Sequence, residues 1–291
     1  MPDVVERVTA ALRDAGDSPW LPGLTAQVAE RGWADLYHDI GLGPCEYGTT
    51  RVVTRSRSAP RQVVSTIPAA LSDKGPAVQG FQIEVLDEDT VRPYKESGVK
   101  FYSKDEINEN KLAERIAEVV NTLKGVPTLF TTVAALVRSV HLLDAGDEDY
   151  DVSFSEPHVP FSIFVSVPKA RGITNTLRVA EAVVHEAMHL QLTLIERLVP
   201  LVTHTERRIF SPWRGEFRSV RGVLHALYVF RVIVRFLESL PSVNTYNTGE
   251  LEYVQMRRDE IYSQINDVRS IRDYPELTVA GAGFVRRLLQ Y

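Results

Sequence analysis

Residues 174–199 constrain the fold more than any other stretch of the chain. At about 100° per residue they form a helix with one polar stripe, Arg178, Glu181, His185, His189, Thr193 and Glu196. Val179, Val183, Val184, Met188, Leu190, Leu194, Ile195 and Leu198 cover most of the remaining surface. A helix apolar on nearly every other side has to be enclosed, and a polar stripe enclosed with it needs partners. Two members of the stripe, His185 and His189, belong to His185-Glu186-Ala187-Met188-His189, an H-E-x-x-H pattern. Residues four apart stack on one helix face, so both imidazoles can reach one metal ion. The plainer alternative is two hydrogen-bonded core histidines beside an incidental glutamate. It leaves the stripe as a whole without a reason.

Two histidines hold an ion weakly, so a third ligand is expected downstream, among His204, Glu206, Glu216 and His225. His204 and Glu206 follow Pro200 in what reads as a connecting turn. His225 lies inside an apolar helix expected over residues 217–240, among Val223, Leu224, Leu227, Val229 and Val232, where an unpartnered imidazole is costly. His225 is therefore the expected third ligand. Pro212 reads as a helix start, with Arg214 near the first turn and Arg218 one turn further. Cations there oppose the helix macrodipole, so Arg214 and Arg218 suit an anionic ligand, or else pair with Glu216 or Glu181.

Two chemistries fit a helix of this kind. In a zinc peptidase, Glu186 is the general base that activates metal-bound water. In an Fe(II) oxygenase, the metal keeps positions open for 2-oxoglutarate and O2, and an arginine grips the far carboxylate of that cosubstrate. The arginines close to His225 favour the oxygenase.

The strings around His185, the Ser211-Pro-Trp-Arg-Gly-Glu-Phe-Arg218 segment and Gly222-Val-Leu-His225 together resemble the family of HExxH-type 2-oxoglutarate-dependent peptide beta-hydroxylases. The likeness covers residues 176–236. It implies that His185, His189 and His225 hold Fe(II), that Arg218 or Arg214 binds 2-oxoglutarate, and that Glu186 orients a ligand or water. The implied reaction is hydroxylation of a side-chain beta-carbon, in pathways that modify ribosomally made peptides. Phe217 and Ser219 stand where that pattern has prolines and Ala226 where it has glycine, which leaves room for a free or carrier-bound amino acid as substrate. A catalytically silent peptide-binding module is the third possibility.

The rest of the sequence supplies the setting. At 291 residues and 44% apolar, the chain can bury a large core. A net charge of −5 argues against nucleic acid or anionic lipid as a partner of the whole chain. No apolar run approaches the ~20 residues needed to cross a bilayer. Cys45 is the single cysteine and the first residues carry no export signal, so a reducing, cytoplasmic setting is expected. The expected class is mainly α, a helical domain built round the HExxH helix and a second His-bearing helix, with a few short β-strands. Helices are expected at 3–15, 24–40, 104–123, 127–143, 174–199, 217–240, 249–269 and 277–289. Residues 45–102 read as loops with short strands, 152–155 and 161–167 as a hairpin, and the acidic run 144–151 as a solvated loop. The composition suggests an N-terminal part, 1–103, packing on a catalytic core, 104–291. Tyr37, His38, Phe101, Tyr102 and His158 could line a channel, although each is more simply ordinary structure. Every lysine lies at or before Lys169 and all later cations are arginine, the side chain suited to bidentate grasp of carboxylates.

Overall fold

A computed structural model describes residues 4–14, 18–39, 62–69, 80–144, 146, 151–156, 159, 161–169, 171–172, 174–240 and 246–290. Tyr37 and His38 lie where only the helical backbone is described. Cys45, His158 and most of the acidic run 144–151 lie outside the described residues. The chain is mainly helical with a small mixed sheet. Among the described residues, no helix is long and apolar enough to cross a membrane. It divides into two compact units, residues 29–190 and residues 1–28 with 191–291. This division follows contacts and differs from the 103/104 boundary suggested by composition.

The 29–190 unit is organised by a five-stranded sheet: β1 (Gln62–Ile67), β2 (Phe81–Val85), β3 (Ser139–Leu143), β4 (Ser153–Ser155) and β5 (Ser162–Ser166), in spatial order β1-β2-β3-β5-β4. The three central strands run parallel, while β1 and the opposite edge strand β4 are antiparallel to their neighbours. His141, Phe164 and Phe154 are opposite one another across β3, β5 and β4. Their rings stack with centroids 4.7 Å and 4.5 Å apart. Tyr94 and Phe101 complete this aromatic layer, so Phe101 is core structure. Tyr102 is as well, since its hydroxyl donates to the Val167 carbonyl at 2.8 Å. The helices of this unit include α3 (Glu88–Glu96), α4 (Lys104–Glu109), α5 (Leu112–Lys124) and α6 (Pro127–Leu136).

Two expectations fail here for identifiable reasons. The helix expected over 104–123 is two helices, because Lys111 takes a left-handed conformation at φ 52° between them. The helix expected over 127–143 stops at Leu136, and the following residues are the buried strand β3. A strand covered on both faces reads as an unbroken apolar run, which periodicity alone does not distinguish from a buried helix. The hairpin expected around 152–167 forms as the antiparallel β4/β5 pair.

The other unit contains α1 (Val4–Arg13), a short hairpin of β6 (Arg208–Ser211) and β7 (Glu216–Ser219), α8 (Val220–Ser239), α9 (Thr248–Asp267) and α10 (Val279–Leu288). Arg287 on α10 donates to the carbonyls of Ala11 and Ser18. Those bonds satisfy a guanidinium that is only 4% exposed. Two helices run through the point of division: α2 (Pro22–Asp39) and α7 (Asn175–Leu198).

Candidate metal-binding and active site

Helix α7 carries the H-E-x-x-H segment, as its apolar coverage demands, and Val183, Val184, Ala187 and Met188 are all buried. His185 and His189, one turn apart, bring their Nε2 atoms to 3.1 Å with ring centroids at 4.7 Å. Two imidazole nitrogens at a Zn–N bond of about 2.0–2.1 Å in tetrahedral geometry would be ~3.3 Å apart. The pair therefore has the spacing of two ligands to one ion.

Glu186 points elsewhere from the same turn. It is 3% exposed, and its Oε1 accepts from the Ser153 hydroxyl at 2.7 Å while lying 4.0 Å from His185 Nε2. Ser153 opens the edge strand β4, and just before it Asp151 accepts from Arg178 Nε at 2.9 Å. The strand edge thus fixes both the carboxylate of the motif and the start of its polar stripe. Sequence reasoning did not single out Ser153, because a serine in a three-residue strand carries no signal of its long-range partner.

In the 191–291 portion, a second polar group is built round Glu196, the last member of the stripe. His225 Nε2 donates to Glu196 Oε2 at 2.7 Å, and Arg221 donates to the same oxygen at 2.7 Å. Burial pushes the Glu196 carboxyl up, but the His225 hydrogen bond and charge together with Arg221 outweigh it, leaving the pKa below the ordinary value. Gln191, fully buried, donates to the Trp20 carbonyl and the Thr25 hydroxyl and accepts from the Tyr228 hydroxyl.

Of the three expected histidines, His185 and His189 belong to the 29–190 unit and His225 to the other. Among the described residues, no three His, Cys, Asp or Glu side chains form a group that could hold a metal ion. His185 and His189 fit such a group, whereas His225 uses Nε2 to satisfy the buried carboxylate of Glu196. His204 and Glu206 are exposed, as expected for a connecting segment.

The arginines also stand differently from their expected places. Residues 208–219 form the β6/β7 hairpin, and α8 begins only at Val220, with Ser219 as its N-cap. Arg214 is exposed in the turn, where its N–H donates to the Ser211 carbonyl at 3.2 Å. Arg218 is half-exposed on β7 and holds the Glu216 carboxylate at 2.8 Å. Gly222 leaves room for the cap of α8: its N–H donates to Ser219 Oγ at 3.1 Å, and an added Cβ would meet that oxygen at 3.3 Å.

No protein-family model matches the chain, and no curated protein matches it. What the chain offers to chemistry is therefore its own residues. Within α7 these are a pair of ring nitrogens aimed at one point, with a buried carboxylate fixed beside them.

Proposed function

We propose that the chain is an Fe(II)- and 2-oxoglutarate-dependent oxygenase that hydroxylates an amino-acid side chain, at the beta-carbon of a peptide residue. The observation that carries the metal part is the 3.1 Å approach of His185 and His189 Nε2. Neutral imidazoles suit Fe(II) and zinc alike, and the resemblance of residues 176–236 favours iron. When bound, the ion and its cosubstrate let O2 deliver one oxygen atom to a substrate C–H bond and the other to 2-oxoglutarate, which leaves as succinate and carbon dioxide.

The chain's own residues divide the remaining work. His185 and His189 hold the ion. Glu186, fixed by Ser153, orients a water or ligand beside them as a positioning group. Arg218 takes the distal carboxylate of 2-oxoglutarate in exchange for Glu216. It is preferred to Arg214 because it already holds a carboxylate. The sequence pattern assigns the third ligand to His225, which would have to surrender its bond to Glu196.

The test is anaerobic addition of Fe(II) and 2-oxoglutarate. A visible metal-to-ligand charge-transfer band is expected, lost in H185A and H189A, and its absence from the native protein removes the oxygenase reading. A zinc peptidase is the second reading, favoured by the Glu186 carboxylate lying 4.0 Å from His185 Nε2, within reach of a bridging water. Its mark is O2-independent peptide cleavage with Zn(II), abolished by E186Q.

A further inference from the structure

The β6/β7 hairpin, whose Arg218 is assigned above to the cosubstrate, also exposes an aromatic pair that the metal chemistry does not use. Phe210 and Phe217 are opposite one another across the two strands, with ring centroids 5.8 Å apart in an edge arrangement. They are 51% and 61% exposed. Isolated exposed apolar residues need no explanation; here two exposed rings touch one another and are rimmed by charged residues, the make-up of an interaction surface on a small scale. The hairpin is anchored from beneath. Ile209 and Ser211 are buried on its inner side, and Trp213 stacks on Phe230 of α8 with ring centroids 5.1 Å apart and planes within 3°. A four-residue turn, Pro212 to Gly215, closes it through the Gly215 N–H to the Ser211 carbonyl at 2.9 Å.

The surroundings of the aromatic pair are cationic. From β6 to β7 the hairpin carries Arg208, Arg214 and Arg218 against the single acid Glu216, in a chain whose net charge is −5. All three guanidiniums lower the Glu216 carboxyl, the Arg218 hydrogen bond most of all. Arg208 also anchors to the Phe217 carbonyl at 2.6 Å, which holds its charge beside the exposed ring.

We propose that this hairpin face docks an acidic peptide segment bearing apolar side chains, which cover Phe210 and Phe217 while its carboxylates meet Arg208 and Arg214. Charge complementarity selects that occupant: against the −5 of the whole chain, the hairpin sets Arg208, Arg214 and Arg218 against the single acid Glu216, and a local cationic patch beside exposed rings meets carboxylates next to apolar side chains. The inference does not depend on the oxygenase reading, because docking is measured without metal or turnover.

The test uses a fluorescently labelled peptide alternating glutamate with leucine and phenylalanine, and the same peptide with lysine at every acidic position. Anisotropy titration of the full chain should show the acidic peptide binding at least tenfold more tightly, and weakening as salt rises. F210S/F217S should lose at least tenfold in affinity with an unchanged circular dichroism spectrum. Should that variant fail to fold, R208E/R214E serves in its place and should reverse the preference between the two peptides. Equal binding of both peptides, or binding unaffected by these variants, overturns the proposal. So does a concentration-dependent dimer that F210S/F217S abolishes, which would make a second copy the occupant. Tighter association with vesicles of anionic lipid than with the acidic peptide would overturn it equally.

Discussion

Glu196 shows how a carboxylate in the polar stripe of an apolar helix is held by partners distant in sequence. Its side chain is 10% exposed and accepts from both Arg221 and His225, which holds its carboxyl below the ordinary range despite burial. A carboxyl whose folded pKa is depressed contributes stability that is fully present above the unfolded value and lost as pH falls through the folded one. We therefore expect E196Q to cost about 1–3 kcal/mol at neutral pH, the scale of a buried hydrogen-bonding group deprived of its charge-assisted partner. The difference from the native chain should shrink as pH falls below the usual carboxylate range. Urea unfolding at a series of pH values measures this, and a constant difference would remove the ion-pair account. The residue-level signal was legible to a limited depth. A stripe of Arg178, Glu181, His185, His189 and Glu196 on an apolar helix announces partners, but the identity of those partners, Ser153 for Glu186 and Arg221 with His225 for Glu196, is set by contacts distant in sequence.

At the scale of elements, helical periodicity was readable in long segments where polar and apolar residues recur with the helical period, and unreadable in an unbroken apolar run or in a short helix with a single buried residue. α1, α7, α9 and α10 lie within a few residues of the expected boundaries. β3 was concealed in an apolar run and α3 in a stretch read as loop, its helix capped by Asp87 and containing Pro93. The hairpin at 208–219 was missed because Pro212 resembles a helix start, whereas here it begins the turn that Gly215 completes at φ +64°. Element packing gives a contrasting pair of expectations. Gly281 in α10 sits against the turn after α7, where an added Cβ would fall 1.9 Å from the Leu201 carbonyl oxygen. G281A should cost about 1–3 kcal/mol, as overpacking against backbone does. Gly23 in α2 has nothing within 4 Å of the same position, so G23A should raise stability by about 0.4–1 kcal/mol by restricting the unfolded chain. Thermal unfolding of the two variants checks both signs, and equal effects would refute the packing argument.

At the scale of the whole molecule, helical periodicity predicted a mainly helical chain, and 44% apolar residues suffice for a large core. Neither could predict the division into units, because residues 1–28 and 191–291 are joined through contacts such as Arg287 with Ala11, which leave no trace in local sequence. Both units share one property that can be tested together. Burial pushes the Tyr94 hydroxyl up to about 12, aided by the nearby Glu156 carboxylate, and raises Tyr102, which also faces Asp144. Burial likewise raises Tyr228, Tyr246 and Tyr262 in the other unit. A tyrosine whose folded pKa exceeds its unfolded value of about 10 favours the native state below that value. It binds its proton more tightly when folded, so its contribution to stability falls as pH rises between the unfolded and the folded pKa. Tyr102 and Tyr228, 2% and 0% exposed, should therefore resist ionisation most strongly while the protein is folded, and their phenolate absorbance should appear together with the loss of helical circular dichroism. On rapid neutralisation the two signals should reverse together. If all the phenolate absorbance develops near the ordinary tyrosine pKa while the helical signal is intact, these hydroxyls are solvated, and the enclosed environments assigned to both units are wrong.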